Sequence, residues 1–169
     1  MKESPEFVLA TSLIEHLRSV VDLAEFVLDE PWSRNEQAAK IALAARSAGI
    51  AITVCPDWPT TDPAATDTAR ILRANLNVAV ISTTNLPARD TAGKLESAVS
   101  RTIAAILSWQ HENTRGFPYT EPRIESVGNL DLSQYQDFQN LEGAIIHISK
   151  PVSYKQYYAT SGVAAELSK

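Results

Sequence analysis

From Leu72 to Val80 the chain alternates without a break, with Leu72, Ala74, Leu76, Val78 and Val80 on one side and Arg73, Asn75, Asn77 and Ala79 on the other. A side-chain period of two belongs to a β-strand, and a strand with one apolar face must bury that face against a second layer. An all-helical fold is therefore excluded, and strand partners must exist elsewhere in the chain. Ile50, Ile52 and Val54 alternate with Ala51, Thr53 and Cys55, and Pro56 is read as the end of that strand. The stretch from Pro56 to Thr68 carries three prolines among Asp, Thr and Ala residues, which predicts an extended loop or a long hairpin arm. An antiparallel pair on either side of it is the economical arrangement. Gly143 to Ile148 reads as a firm later strand. Arg123 to Leu130 reads as a weaker one, with Ile124, Ser126, Gly128 and Leu130 on one face.

Helical periodicity appears in three places. Ser4 and Pro5 are a start signal, and Phe7, Leu9 or Ala10, Leu13, Ile14, Leu17 and Val20 or Val21 recur at helical spacing behind them. Leu23 to Leu28 either extends that helix or forms a short strand before Pro31. Ser33 and Glu36 have the spacing of a capping box, Gly49 sits where a C-terminal cap belongs, and the alanines between them leave a face that another backbone can approach closely. After a turn from Asn85 to Asp90, a helix capped by Asp90 or Thr91 is predicted to reach about Gln110, burying Leu95, Val99, Ile103, Ile106 and Leu107. Asp131 to Asn140 reads as a polar loop holding Tyr135 and Phe138. The expected fold class is α+β: a mostly antiparallel sheet of about four strands with helices packed on one face. Residues 1–150 are expected to form one domain, and 151–169 a C-terminal arm or tail.

Length and composition limit the function classes. A chain of 169 residues, 44% of them hydrophobic, fits one domain with a real core. A net charge of −5 without any Lys/Arg cluster argues against a general nucleic-acid binder, since phosphate binding needs a basic face. Glu15, His16, Arg18 and Asp22 interrupt the apolar amino end, so neither a signal nor a membrane segment is expected there. Cys55 is the single cysteine, so an intramolecular disulfide is impossible and synthesis in the cytoplasm is the default reading.

Reactive constellations are equally sparse. His16, His111 and His147 fall in different elements without zinc-site spacing, and His147 reads as a side chain on the solvent face of a strand. Cys55 has no base or oxyanion donor near it in sequence and reads as a small buried hydrophobe. The sequence contains no GxSxG elbow, phosphate-cradling GxxxxGK loop or GxGxxG turn. Asp57 and Asp62, flanking Trp58, resemble a carboxylate pair, but a Pro-rich loop is poor support for catalysis and suits partner contact better. Arg115 and Phe117 in a compact turn, and Tyr154, Tyr157 and Tyr158 near the end, complete the expected interface residues; a core position is the competing reading for Phe117, and folding back on the chain's own domain or a free tail are the competing readings for the tyrosines. No catalytic residue, cofactor or metal is expected.

The segment Ile50–Val54, the following loop, the strand Leu72–Ile81, the helix Thr91–Gln110 and the strand Gly143–Ser149 together resemble the tail-terminator family of long-tailed bacteriophages over roughly two thirds of the chain. The fragments from Ala74 to Val80 and from Leu141 to Ile148 carry most of the likeness. The resemblance implies a non-enzymatic virion protein, made in the host cytoplasm and ending in the tail. It would form a hexameric ring that caps the tail tube and contacts the tube protein and a neck or connector protein. A neck subunit is one alternative. A small cytoplasmic enzyme or ligand-binding domain, with its pocket between helix and sheet, is another.

Overall fold

Four antiparallel strands form one sheet in the order β1-β2-β4-β3, where β1 is Ile50–Thr61, β2 is Ile71–Thr83, β3 is Arg123–Leu130 and β4 is Leu141–Ser153. This computed structural model describes residues 2–32, 37–61, 71–84, 94–111, 116–117 and 121–159. The helices are α1 (Pro5–Ser19), α2 (Ala38–Ala48), α3 (Lys94–Leu107) and the short α4 (Tyr154–Ala159), with a 3-10 turn at Gln136–Phe138. The chain has the α+β class, with helices packing against the sheet.

Strand parity decides what covers each face. Ile52, Val54, Leu76, Val78, Val80, Ile146 and Ile148 point one way, and α1 and α3 bury them with Leu9, Leu13, Leu17, Ala98, Ala105 and Ile106. Helix α1 begins as its sequence requires: Phe7 N–H donates to Ser4 Oγ at 3.2 Å and Pro5 lies in the first turn. The expectation of helices on one face holds for α1 and α3 but not for α2. Ala51 and Ile81 pair on the opposite face, where Ala38, Ile41, Ala42 and Ala45 of α2 cover them with Leu132 and Phe138. The alanine face of α2 thus packs inside the subunit. Gly49 ends α2 at φ 84°, a left-handed cap, while the capping box at Ser33 and Glu36 lies outside the described residues.

Two strands run through prolines. Strand β1 continues past Pro56 to Thr61, because its even residues turn their backbone groups away from β2: Ile52 N–H donates to Phe26 O at 2.8 Å and Trp32 N–H donates to Val54 O at 2.7 Å. Pro56 shares that parity, so its missing N–H costs no bond to β2. Strand β4 runs through Pro151 to Ser153 for a related reason. Its odd residues face β3, and β3 has already ended where Arg123 pairs with Ser149. The boundary expected at residue 150 therefore falls inside β4, and the chain continues into α4 with Val152 and Tyr157 buried. Residues 160–169 lie outside the described residues.

Smaller corrections follow from local geometry. Leu23–Leu28 is neither helix nor full strand; it turns, then Val27 bridges in parallel to Ile52 and Leu28 N–H donates to Ile52 O at 2.9 Å. In α3, Leu107 is exposed, and Trp109, just past the helix end, fills the core position instead. A bulge between Ile124 and Ser126 shifts β3, so Val127 and not Ser126 falls on the Ile124 face, opposite Ile146. The Asp131–Asn140 loop carries a core anchor in Phe138 and is tied to α2 where Arg46 Nη2 donates to Asp137 O at 2.6 Å.

Candidate functional site

The second half of β1 and the strand facing it form the part of the sheet that α2 does not reach. Here the odd positions are polar: Arg73, Asn75 and Asn77 on β2, His147 and Ser149 on β4, and Asp57 on β1, and all of them but the buried Ser149 line an open groove of about 430 Å³. Asn77 Nδ2 donates to Asp57 Oδ2 at 3.0 Å, which orients the amide, and His147 Nδ1–H donates to Asn77 Oδ1 at 2.5 Å. This bond places a proton on His147 Nδ1 and leaves Nε2 on the other edge of the ring. Beside it, Arg73 Nε donates to Ser149 Oγ at 2.8 Å, Ser149 Oγ donates to Glu125 Oε1 at 2.5 Å, and Arg123 lies 3.6 Å from the same carboxylate.

This chain of bonds fixes side chains on a rigid sheet, but among the described residues no nucleophile is hydrogen-bonded to His147 Nε2. Cys55 is half-buried on the same face, and its Sγ donates to Pro56 O at 3.4 Å. No group of three or more His, Cys, Asp or Glu residues that could hold a metal ion occurs among the described residues. The sheet face can recognise polar groups.

The expected interface residues separate into three sets. Asp57, Trp58 and Tyr158 are exposed, Trp58 to 73%, and Asp57 Oδ1 accepts the Trp58 N–H at 2.8 Å, fixing the backbone where the indole leaves the strand. Tyr154 is half-buried. Phe117 and Tyr157 are core residues: their rings meet edge to face with centroids 5.4 Å apart, and Tyr157 Oη donates to Glu3 O at 2.7 Å. Burial thus corrects the reading of Phe117 and Tyr157 as surface anchors. Asp62 and Arg115 lie outside the described residues.

Glu6 escaped the sequence reading. It falls in the first turn of α1, where a carboxylate usually faces solvent and complements the helix dipole, yet it is 7% exposed and its Oε1 has no hydrogen-bond partner. Together with Trp58, Pro56, Pro59, Asp57 and Tyr154 it lines a cleft of about 480 Å³ between the start of α1, the outer part of β1 and the start of α4. Only the fold brings these distant positions together, so no sequence spacing signals them. No protein-family model matches the chain, and no curated protein matches it.

Proposed function

We propose that the protein is a structural subunit of a bacteriophage tail, a tail terminator whose copies form a hexameric ring that caps the tail tube and joins it to the neck. The observation that carries this reading is the outer end of β1. Strands β1 and β2, of 12 and 13 residues, extend beyond the part of the sheet that α2 covers, and β1 leaves Trp58 73% exposed. A large rigid aromatic held outside the core on a braced strand suits a contact surface, because it adds contact area with few torsions to freeze. The element order, with a leading helix, a β pair, a helix on the sheet and closing strands, supports the resemblance, and α2 between the leading helix and the β pair departs from it.

On this reading the protein is not an enzyme, and its partners are its own copies, the tube protein and a neck or connector protein. It needs neither a membrane nor sequence-specific nucleic-acid contact. No described helix is long and apolar enough to cross a membrane. Native mass measurement and electron microscopy of purified tails carrying a labelled subunit test the proposal. A ring at the head-proximal end of the tube is expected. A protein that stays monomeric both in concentrated solution and on assembled tails would overturn it, and a label on the neck rather than on the tube end would favour the connector alternative.

A second reading has one specific observation behind it. Leu23, Phe26, Ile50, Ile52 and Ala98 line a cleft of about 250 Å³ between α3 and β1, with Lys94 and Arg101 among its lining residues and Arg101 paired to Asp22 at 3.6 Å. An apolar floor with cations beside it is the arrangement a small-molecule binding domain would use for an apolar anion. Saturable binding of hexanoate, abolished by Ala98→Phe, would favour that class over a purely structural role.

A further inference from the structure

The cleft beside Trp58 has a one-sided chemistry. Two carboxylates, Glu6 and Asp57, are among its lining residues, and none of those residues is a Lys, Arg or His. Glu6 is more than nine-tenths buried, and its Oε1 lacks a hydrogen-bond partner. Tyr154 Oη is likewise buried without one. Unsatisfied buried polar atoms are costly, so each is a place where a further donor would be stabilising. The neighbouring cation, Lys2, is engaged elsewhere: its Nζ donates to Tyr157 O at 2.7 Å and sits 3.9 Å from the centre of the Tyr157 ring. Pro56, Pro59 and the Trp58 indole supply apolar and π surface to the same cleft.

We infer that this cleft receives an arginine side chain presented by a neighbouring protein in the assembly. A guanidinium fits each part of the site. Its planar donors suit the carboxylates that line the cleft, its face stacks on an indole, and its aliphatic stem is at home against proline rings. A lysine ammonium would satisfy the carboxylate as a point charge but would lose the stacking and the second aligned donor. The inference rests on the reading of this end of β1 as a contact surface and names the chemistry of what it contacts.

The test is a nuclear magnetic resonance titration of the whole protein with N-acetyl-arginine amide, read at the Trp58 indole N–H, with N-acetyl-lysine amide as comparator. The indole resonance should move saturably with the arginine probe and bind the lysine probe several-fold more weakly. Glu6→Gln should weaken the arginine probe by about tenfold, the loss of one charge-assisted contact, while leaving the melting temperature equal or higher. Should Glu6→Gln fail to fold, Trp58→Ala serves in its place, since an indole this exposed supports little of the fold. Binding is then followed at the Tyr154 resonances and should weaken several-fold.

An indole that ignores both probes, or equal affinity for the two, would overturn the guanidinium assignment. Unchanged affinity in Glu6→Gln would overturn it as well. Rings that form normally while the arginine probe fails to bind would leave the ring proposal standing and remove only this inference. A probe that binds to a protein showing no assembly at all would overturn the claim that the arginine comes from a partner.

Discussion

Lys150 holds its ammonium 4.7 Å from the centre of the Trp109 indole, on the sheet face that α1 and α3 cover, and the residue is 4% exposed. The ring face attracts the cation, yet burial disfavours its charge and lowers the Lys150 pKa from the usual lysine value.

A sign follows for stability. With the folded pKa below the unfolded one, the unfolded chain binds more protons between the two values, so the Lys150 contribution to stability rises with pH across that window. At neutral pH the buried charge is a cost. Lys150→Met should raise stability by about 1 kcal/mol at pH 7, or about 2–4 °C in Tm for a chain of this size. That advantage should shrink as pH approaches the ordinary lysine range. Thermal melts of both proteins from pH 7 to 10 check it, and an advantage that grows with pH would contradict the burial argument.

Gly116 turns the chain at φ 94°, and a Cβ placed there would come within 2.8 Å of Tyr157 Cβ and 2.9 Å of Tyr157 N and Cα. The obstacle is largely backbone, and Gly116 O also accepts the Ser153 N–H at 2.7 Å. Gly116→Ala should therefore destabilise by about 2 kcal/mol or more, read from urea midpoints. Phe117→Ala next to it should cost about 3–5 kcal/mol as a core truncation, with no separate defect in assembly of the protein that remains folded.

Trp58→Ala should change the Tm of the isolated subunit by less than about 2 °C, because so little of the indole is buried. Ring formation or tail attachment should weaken clearly. A variant that unfolds readily while its folded fraction assembles normally would return Trp58 to the core.

Cys55→Ser, His147→Ala and His16→Ala should leave assembly intact. His16 Nε2–H donates to Ala105 O at 2.8 Å near the end of α3, so its loss should cost about 1 kcal/mol of stability and nothing more. A stably folded Cys55→Ser protein that had lost its activity would favour the enzyme class instead.

The legible parts of the fold were those whose signal is local. The Ser4 cap, the alternation across Leu72–Val80 and the Gly49 cap each depend on residues a few positions apart. Pro56 and Pro151 misled because a proline stops a strand only where its N–H would have met a neighbour, and that depends on which strands lie on either side. The α2 face was misplaced because periodicity identifies an apolar stripe without saying which side of the sheet it covers. The cleft residue Glu6 was illegible for a stronger reason: nothing in its own neighbourhood departs from an ordinary first-turn acid, and only the approach of β1 and Tyr154 gives it a different setting.

The two margins of the sheet are unequal. Along β1 the outward N–H and C=O of Ile52 are taken by Phe26 and Leu28, the Val54 C=O is taken by Trp32, and Pro56 has no N–H to offer. Along β3, which pairs only with β4 among the described residues, Arg123, Glu125, Ser126, Val127, Gly128 and Asn129 are all exposed. A tile with one sticky side and one blank side cannot be laid in an endless row: joined sticky side to sticky side, it makes a couple and stops. Copies of this chain that close into a circle must therefore grip one another with something besides their sheet margins, and the Trp58 side chain, 73% exposed on β1, is one such surface.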